Sequence, residues 1–341
     1  MRKILWILVF IFFISAACNL PVSNFTGEPS PRAVSQRIVT LDPNAPPTPT
    51  PFMPVAPTPT PEGEQIATPE VPPSPEQQAT PPVLVQPEDT ISILILGSDW
   101  RPNAGFRTDV IILTIVNIRT GAVSMVSFPR DLYVDIPGVG QQRINTSQQF
   151  GGFALTQATF QNNFGIKPEH YVMTNFQGFV NIIDRLGGIE VETARNLTDT
   201  CKLPQAVNGY CSVGPGRVYM NGETALWYVR SRYSSSDFDR TRRAQEVMLA
   251  VFKKLMSLDA LSKAPQLYQE FRSNVETDIP LDLALKLAGF APGLVSNPER
   301  INRFAIGPSD VWHYTTDTGA QVLIPIQERV QAILYEAYQV K

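Results

Sequence analysis

Apolar positions fall into three regimes along the chain: a short run at Ile4–Ile14, a long stretch to about residue 88 without periodic hydrophobicity, then strand- and helix-length patterns to the end. In the last regime Ile91–Leu96, Val110–Ile118 and Val123–Phe128 are β-branched runs, apolar on both alternating faces. Such strands are covered on both sides, as in the middle of a layered sheet. A strand at Leu132–Pro137, a helix at Leu155–Phe164 ended by Gly165, a strand at Tyr171–Phe176, a helix at Gln177–Leu186 and a strand at Ile189–Glu192 follow. Further helices are predicted at Asn221–Val229, at Arg240 to about Ser257 with Asp239 as cap, near Leu258–Phe271, at Leu281–Leu294 and from about Pro325 to Tyr338, with a strand at Ile301–Ile306. Strands alternating with helices predict the α/β class, here a layered α/β/α domain over residues 89–341 with a central mixed β-sheet flanked by helices.

The first two regimes are appendages. Segment 1–18 reads as an export signal: Arg2 and Lys3, an apolar run, then Ser15-Ala16-Ala17 before Cys18. The run is shorter than the ~20 residues of a spanning helix. Its end is similar to a lipobox, which predicts lipidation at Cys18, although Ser15 stands where Leu is usual. The alternative is an uncleaved signal anchor with an incidental cysteine. Residues 19–88 hold repeats such as PTPTP and most of the 31 prolines, and are expected to be a disordered or polyproline-like spacer. At ~3.1 Å per residue its extended reach is on the order of 200 Å.

Composition narrows the chemistry. A net charge of −3 with no dominant basic face argues against nucleic acid as a partner. There is no GxSxG elbow, HExxH or Walker loop, and two histidines leave little room for a triad. Cys201 and Cys211, joined by a short polar segment in an exported chain, predict a disulfide that stabilises a loop and has no catalytic part. Zinc is disfavoured because neither His170 nor His313 is near and no CxxC occurs.

Charge concentrates at the ends of the apolar strands. Asp99 and Arg101 follow the first, Arg107 and Asp109 precede the second, and Arg130 and Asp131 follow the third. One sheet edge can gather them all, where α/β sheets usually carry sites. By themselves Asp99 and Asp109 read most simply as ion-pair partners of Arg101 and Arg107. Two carboxylates are too few for a calcium cage but enough for Mg²⁺, which takes its other ligands from phosphate and water. Arg101, Arg107, Arg130, Arg230, Arg232, Arg240 and Arg243 would repel one another without a shared anion, and the guanidinium fork suits phosphate. The plainer reading gives some of them surface pairs with Asp131, Asp135, Glu192 or Asp237, with Arg101 and Arg242 first in line. Phe160, Phe164, Phe176, Phe179, Ile182, Leu226, Val247 and Val251 read as core.

Those charged stretches carry a resemblance. GSDWR, RTDVIILTIVN and SFPRDLYVDIPGVGQQRIN, then FGG, YVMTNFQGFVNIIDRLGGIEVE, NGETALWYVRSRY and DFDRTRRAQEVM, resemble in order the LytR-CpsA-Psr domain over roughly Thr90 to Met256. The resemblance implies an exported, membrane-anchored phosphotransferase on the extracytoplasmic face of a bacterial cell membrane. Such an enzyme moves an anionic glycopolymer from a polyprenyl diphosphate carrier to peptidoglycan. It implies Mg²⁺ (or Mn²⁺) on Asp99 and Asp109, with Arg107, Arg130, Arg230, Arg232, Arg240 and Arg243 facing the diphosphate and helices splayed over the sheet around a polyprenyl chain. A peptidoglycan hydroxyl would attack the sugar-proximal phosphorus beside Arg130 and Arg240, with Asp131 or Asp237 orienting it or taking its proton. Phosphoryl transfer needs positioning and charge neutralisation more than a protein nucleophile. Two rival readings are a diphosphate hydrolase, with water as acceptor, and a lipid-carrier-binding envelope regulator without turnover.

Overall fold

The computed structural model describes residues 81–100, 105–232, 236–257, 268–269 and 272–340. The expected signal segment with Cys18, most of the expected spacer, Arg101 and most of the helix expected near Leu258–Phe271 lie outside these. Among the described residues no helix is long and apolar enough to cross a membrane.

In chain order the elements are β1 (Thr90–Ser98), β2 (Thr108–Asn117), β3 (Val123–Ser127), β4 (Tyr133–Ile136), β5 (Gly140–Arg143), α1 (Ser147–Phe164), β6 (His170–Asn175), α2 (Phe176–Arg185) and β7 (Ile189–Thr193). They continue as β8 (Leu197–Thr200), β9 (Tyr210–Val213), β10 (Gly216–Met220), α3 (Gly222–Arg230), α4 (Asp237–Ser257), β11 (Glu276–Thr277), α5 (Leu281–Ala288), α6 (Ala291–Ser296), β12 (Ile301–Ala305), β13 (Val311–Thr315), β14 (Gln321–Pro325) and α7 (Gln327–Gln339).

A six-stranded sheet in the order β11-β6-β1-β2-β3-β12 forms the middle layer. It is mixed: β1 runs parallel to β6 and β3 to β12, while β2 runs antiparallel to both neighbours. The three apolar runs are adjacent strands because short links suit antiparallel pairs. Leu94, Leu96, Ile111, Leu113 and Val126 bury one face against Phe160 and Phe164 of α1 and Val330 and Leu334 of α7. Ile112, Val116 and Met125 turn the other way, onto Ala244 of α4 and Leu294 of α6. The expected three-layer arrangement is the one the chain adopts. α2, α3, β7 and β10 form a further packed cluster around Ile183, Val191, Met220, Tyr228 and Val247.

Several boundaries differ from expectation for local reasons. α1 is two helical pieces separated by a kink at Gly151 and Gly152 (Gly152 φ 62°, ψ −159°), and the expected Leu155–Phe164 helix lies in the piece after the kink. α4 starts at Asp237, so Asp239 sits inside its first turn, its N–H donating to the Ser236 hydroxyl at 3.2 Å. The helix expected at Leu281–Leu294 breaks around Gly289 into α5 and α6. Residues 195–220, between the expected Ile189–Glu192 strand and Asn221–Val229 helix, hold the β8–β9 hairpin and β10. The expected spacer boundary at residue 88 also falls late. Leu84 N–H donates to Gly165 O at 2.9 Å, and the Gln86 amide donates to the Tyr338 hydroxyl at 2.6 Å, so the chain is already seated on the domain there.

Candidate active site

The expected charges do converge on one sheet edge. β1 and β2 are antiparallel, so the end of β1 lies beside the start of β2, and β3 ends next to it. A β-bulge sharpens the convergence: Gly97 pairs with Val110 and Ser98 with Thr108, leaving Asp109 as the extra residue. Bulges re-aim side chains. Here neighbouring Asp109 and Val110 both line the same cavity. Asp99, just beyond β1, accepts the Arg107 backbone N–H at 2.6 Å and pairs with its guanidinium at 3.2 Å.

Arg130 is carried by the turn after β3. Phe128, whose ring lies 4.9 Å from Phe160 and 5.2 Å from Phe164, pins that turn to the core. The Arg130 guanidinium reaches Asp109 at 3.0 Å, Asp131 at 3.3 Å and Asp237 at 3.6 Å. Burial opposes its charge most, but the three aspartates outweigh burial and hold its pKa above the usual arginine value. Asp131 also pairs with Arg143 at 3.0 Å, and Asp237 with Arg240 at 2.5 Å. Arg240 is 6% exposed, and burial, with Arg130 and Arg232 nearby, lowers its pKa to about 10. Burial likewise raises the Asp237 carboxyl, against the pull of Arg240 and Arg130. Both partners of that pair are thus pushed toward neutrality, and an anion arriving among the arginines relieves their mutual repulsion.

Arg230 and Arg232 leave the end of α3, where the α3 helix begins with the Asn221 side chain accepting the Thr224 N–H. Arg230 lies 4.2 Å over the Phe176 ring, and the Arg232 guanidinium stands 3.8 Å from Asp109. A cavity of about 1440 Å³ opens from this edge. Asp99, Asp109, Arg107, Arg230, Arg232 and Arg240 line it at the sheet edge, while Phe179, Ile182, Leu226, Val247, Met248 and Val251 line it between the sheet and α2, α3 and α4. Of the residues expected to be simple core, Phe160 and Phe164 are so and Val247 is buried core that also borders the cavity, whereas Phe176, Phe179, Ile182, Leu226 and Val251 are half-buried cavity wall.

Residues 63–338 match the LytR_cpsA_psr family. The chain belongs to that family. The Staphylococcus aureus (strain COL) protein named Regulatory protein MsrR is 33% identical over 193 residues, 56% of this chain and 57% of the relative. The Enterococcus faecalis (strain ATCC 700802 / V583) protein named Polyisoprenyl-teichoic acid--peptidoglycan teichoic acid transferase TagU is 34% identical over 207 residues, 59% of this chain and 65% of the relative. The chain therefore spans less than two thirds of the length of these curated relatives. A solved structure of TagT bound to LIIa-WTA is similar at 25% identity and a TM-score of 0.56, covering 73% of this chain and 90% of that one.

Within this LytR_cpsA_psr fold the expected arginines divide. Arg107, Arg130, Arg230, Arg232 and Arg240 gather at the charged edge, but Arg243 does not. It is 0% exposed, and its guanidinium donates to Tyr228 O and, at 2.7 Å, to Ser231 O. Helical spacing put Arg243 on Arg240's face, yet it faces the end of α3 and not the cavity, so its assignment to the diphosphate is corrected. Arg242 is no idle surface residue either: it pairs with Asp239 at 2.7 Å and with buried Glu246, which accepts the Tyr228 hydroxyl at 2.6 Å.

Sequence reading missed Asn145, 2% exposed, whose amide donates to Asp109 Oδ1 at 3.2 Å, and Asp199, 3% exposed, which accepts the Arg232 N–H at 2.7 Å. Neither had a spacing signal, although Asn145 closes the QQRIN motif. Cys201 and Cys211 are joined in a disulfide, with Cα atoms 5.4 Å apart.

Proposed function

We propose that this chain transfers an anionic glycopolymer from a polyprenyl diphosphate carrier to peptidoglycan during cell-wall biogenesis. The observation that carries the reading is the cavity: a long apolar wall ending in arginines and aspartates suits one ligand class, an apolar chain with a phosphate head. The names of TagU and of TagT bound to LIIa-WTA support a polyisoprenyl-linked wall polymer as donor and peptidoglycan as acceptor. The export signal and Cys18 support an anchored enzyme on the extracytoplasmic face of the membrane.

The arginines bind and orient. Arg107, Arg230 and Arg232 are exposed enough to meet the diphosphate first, and Arg130 and Arg240, deeper and less solvated, stabilise charge as it develops on the transferred phosphorus. The peptidoglycan hydroxyl attacks that phosphorus, the phosphoanhydride bond breaks and polyprenyl phosphate leaves. Asp237 takes the proton in this reading. Its Oδ1 faces Arg240 and Arg130, while its Oδ2 is buried without a hydrogen-bond partner among the described residues. Asp131 is held by Arg130 and Arg143 and orients the network.

A divalent ion fits the donor set. Asp99 and Asp109 are hard oxygen donors that line the same cavity, and no set of three or more acidic, His or Cys groups placed to hold a metal occurs among the described residues. That sparse set suits Mg²⁺ or Mn²⁺ held jointly with phosphate oxygens and water. When bound, the ion supplies charge neutralisation to the diphosphate.

Mass spectrometry of lipid extracted from the native protein, followed by transfer of a radiolabelled glycan from polyprenyl diphosphate to peptidoglycan, tests the proposal. A polyprenyl phosphate species and labelled peptidoglycan are expected. Release of glycan phosphate without labelled peptidoglycan makes the protein a hydrolase, and bound carrier without turnover makes it a regulator.

A further inference from the structure

The disulfide hairpin, expected only to stabilise a loop, is wired to the arginines. Asp199 stands opposite Cys211 in the β8–β9 register, two residues before Cys201. One of its carboxylate oxygens accepts the Thr200 N–H at 2.6 Å and the other the Arg232 N–H at 2.7 Å. The Trp227 indole donates to Thr200 O at 3.0 Å and fastens the hairpin to α3. From the other side, Arg243 donates to the Tyr228 and Ser231 carbonyls. The backbone leaving α3 is thus gripped at its carbonyls by a buried cation and at an amide by a buried anion. Arg232 itself is a long side chain, 57% exposed, whose direction is set by the backbone that carries it. Cys201 and Thr200 also line the cavity.

We propose that Asp199 is a positioning residue for Arg232 and that the Cys201–Cys211 crosslink keeps it in place, so that diphosphate affinity depends on a carboxylate and a disulfide that act through the direction of Arg232. This rests on the phosphate-binding reading of the arginines given above. In Asp199→Asn one carboxylate oxygen becomes an NH₂ group. Either the Arg232 or the Thr200 N–H then faces a donor, and rotating the amide only moves the conflict to the other.

The test is calorimetric titration of the full chain with geranylgeranyl diphosphate in Mg²⁺ buffer, using wild type, Arg232→Ala, Asp199→Asn and their double variant. Asp199→Asn and Arg232→Ala are each expected to weaken binding roughly ten- to a hundredfold. The double variant should bind no worse than Arg232→Ala, because both act through one contact. Cys201→Ser/Cys211→Ser should weaken binding in the wild-type background and not in Arg232→Ala, which also serves if Asp199→Asn does not fold. Additive losses, or wild-type affinity in Asp199→Asn, overturn the proposal. If wild type binds no diphosphate, the functional reading fails by itself. Hydrogen exchange at the Arg232 amide then decides: slow in wild type and fast in Asp199→Asn is expected, and equal protection overturns the positioning role.

Discussion

Arg130 and Asp109, 21 residues apart in the chain, meet across the ends of β2 and β3 with Nη1 3.0 Å from Oδ2. The bulge aims Asp109 and the Phe128 anchor aims Arg130, so the pair is set by two separate pieces of local structure. Arg130→Ala leaves Asp109, Asp131 and Asp237 without the cation they share. Stability is expected to fall by on the order of 3 kcal/mol, as when one partner of a buried pair is removed, and transfer should be lost. Arg130→Lys should recover most of the melting temperature but little of the transfer, since an ammonium replaces the charge and not the fork. Full transfer by Arg130→Lys would remove the fork from the mechanism.

Asp99 behaves differently because its partner Arg107 is half-exposed. Exposed pairs contribute about 0–1 kcal/mol, and an asparagine oxygen can still accept the Arg107 backbone N–H. Asp99→Asn should therefore melt within a degree or two of wild type while losing transfer and Mg²⁺ affinity. Titration of transfer rate against Mg²⁺ makes the comparison. An unchanged Mg²⁺ requirement in this variant would relocate the ion.

Asp237 gives a pH dependence. Burial raises its folded-state pKa, so its linkage contribution is fully present below the ordinary carboxylate range and is lost as pH rises through the folded value. Asp237→Asn should accordingly melt no lower than wild type at neutral pH, with the difference shrinking as acid protonates the wild-type carboxyl. If Asp237 is the base, kcat/KM falls on the acid side at a pH above the usual carboxylate range, and that limb disappears in Asp237→Asn along with most of the rate. A retained acid limb in the variant would point to Asp131.

Arg242→Ala separates structure from chemistry. Its pairs with Asp239 and Glu246 knit α4 to the Tyr228 network, away from the cavity. A loss of about 1–3 kcal/mol in stability is expected, as for hydrogen bonds to charged groups, with kcat/KM for the remaining folded protein near wild type. Arg240→Ala should do the reverse, costing roughly a hundred- to thousandfold in rate. Equal activity of the two variants would defeat the arginine-cluster mechanism.

The seated N-terminal segment predicts a proteolytic boundary. Limited digestion should release a fragment that retains Leu84 and Gln86. Gly165→Ala should shift that boundary and destabilise the protein, because Gly165 has φ +68° and an added Cβ would lie 2.2 Å from Pro82 O. Unchanged cleavage and melting in Gly165→Ala would show that the segment does not sit on the domain in solution.

The sequence alone determined the fold class, the three central strands and the ring of charge at their ends. Those follow from local rules: β-branched runs without polar faces must be covered on both sides, and residues flanking antiparallel neighbours must share an edge. The order of motifs from GSDWR to DFDRTRRAQEVM carried the family as well. What only the tertiary structure decided are matters of direction. Periodicity puts Arg240 and Arg243 on one face, yet one reaches the site and the other grips α3, because α4 packs against two surfaces at once. The aliphatic and aromatic positions on α2, α3 and α4 read as core by spacing, and they become cavity wall only because the helices stand off the sheet. The bulge at Asp109 and the Asp199–Arg232 contact left no trace in the pattern. The first depends on how two strands pair and the second on how a hairpin folds back, and both are relations between segments, which a linear pattern does not encode.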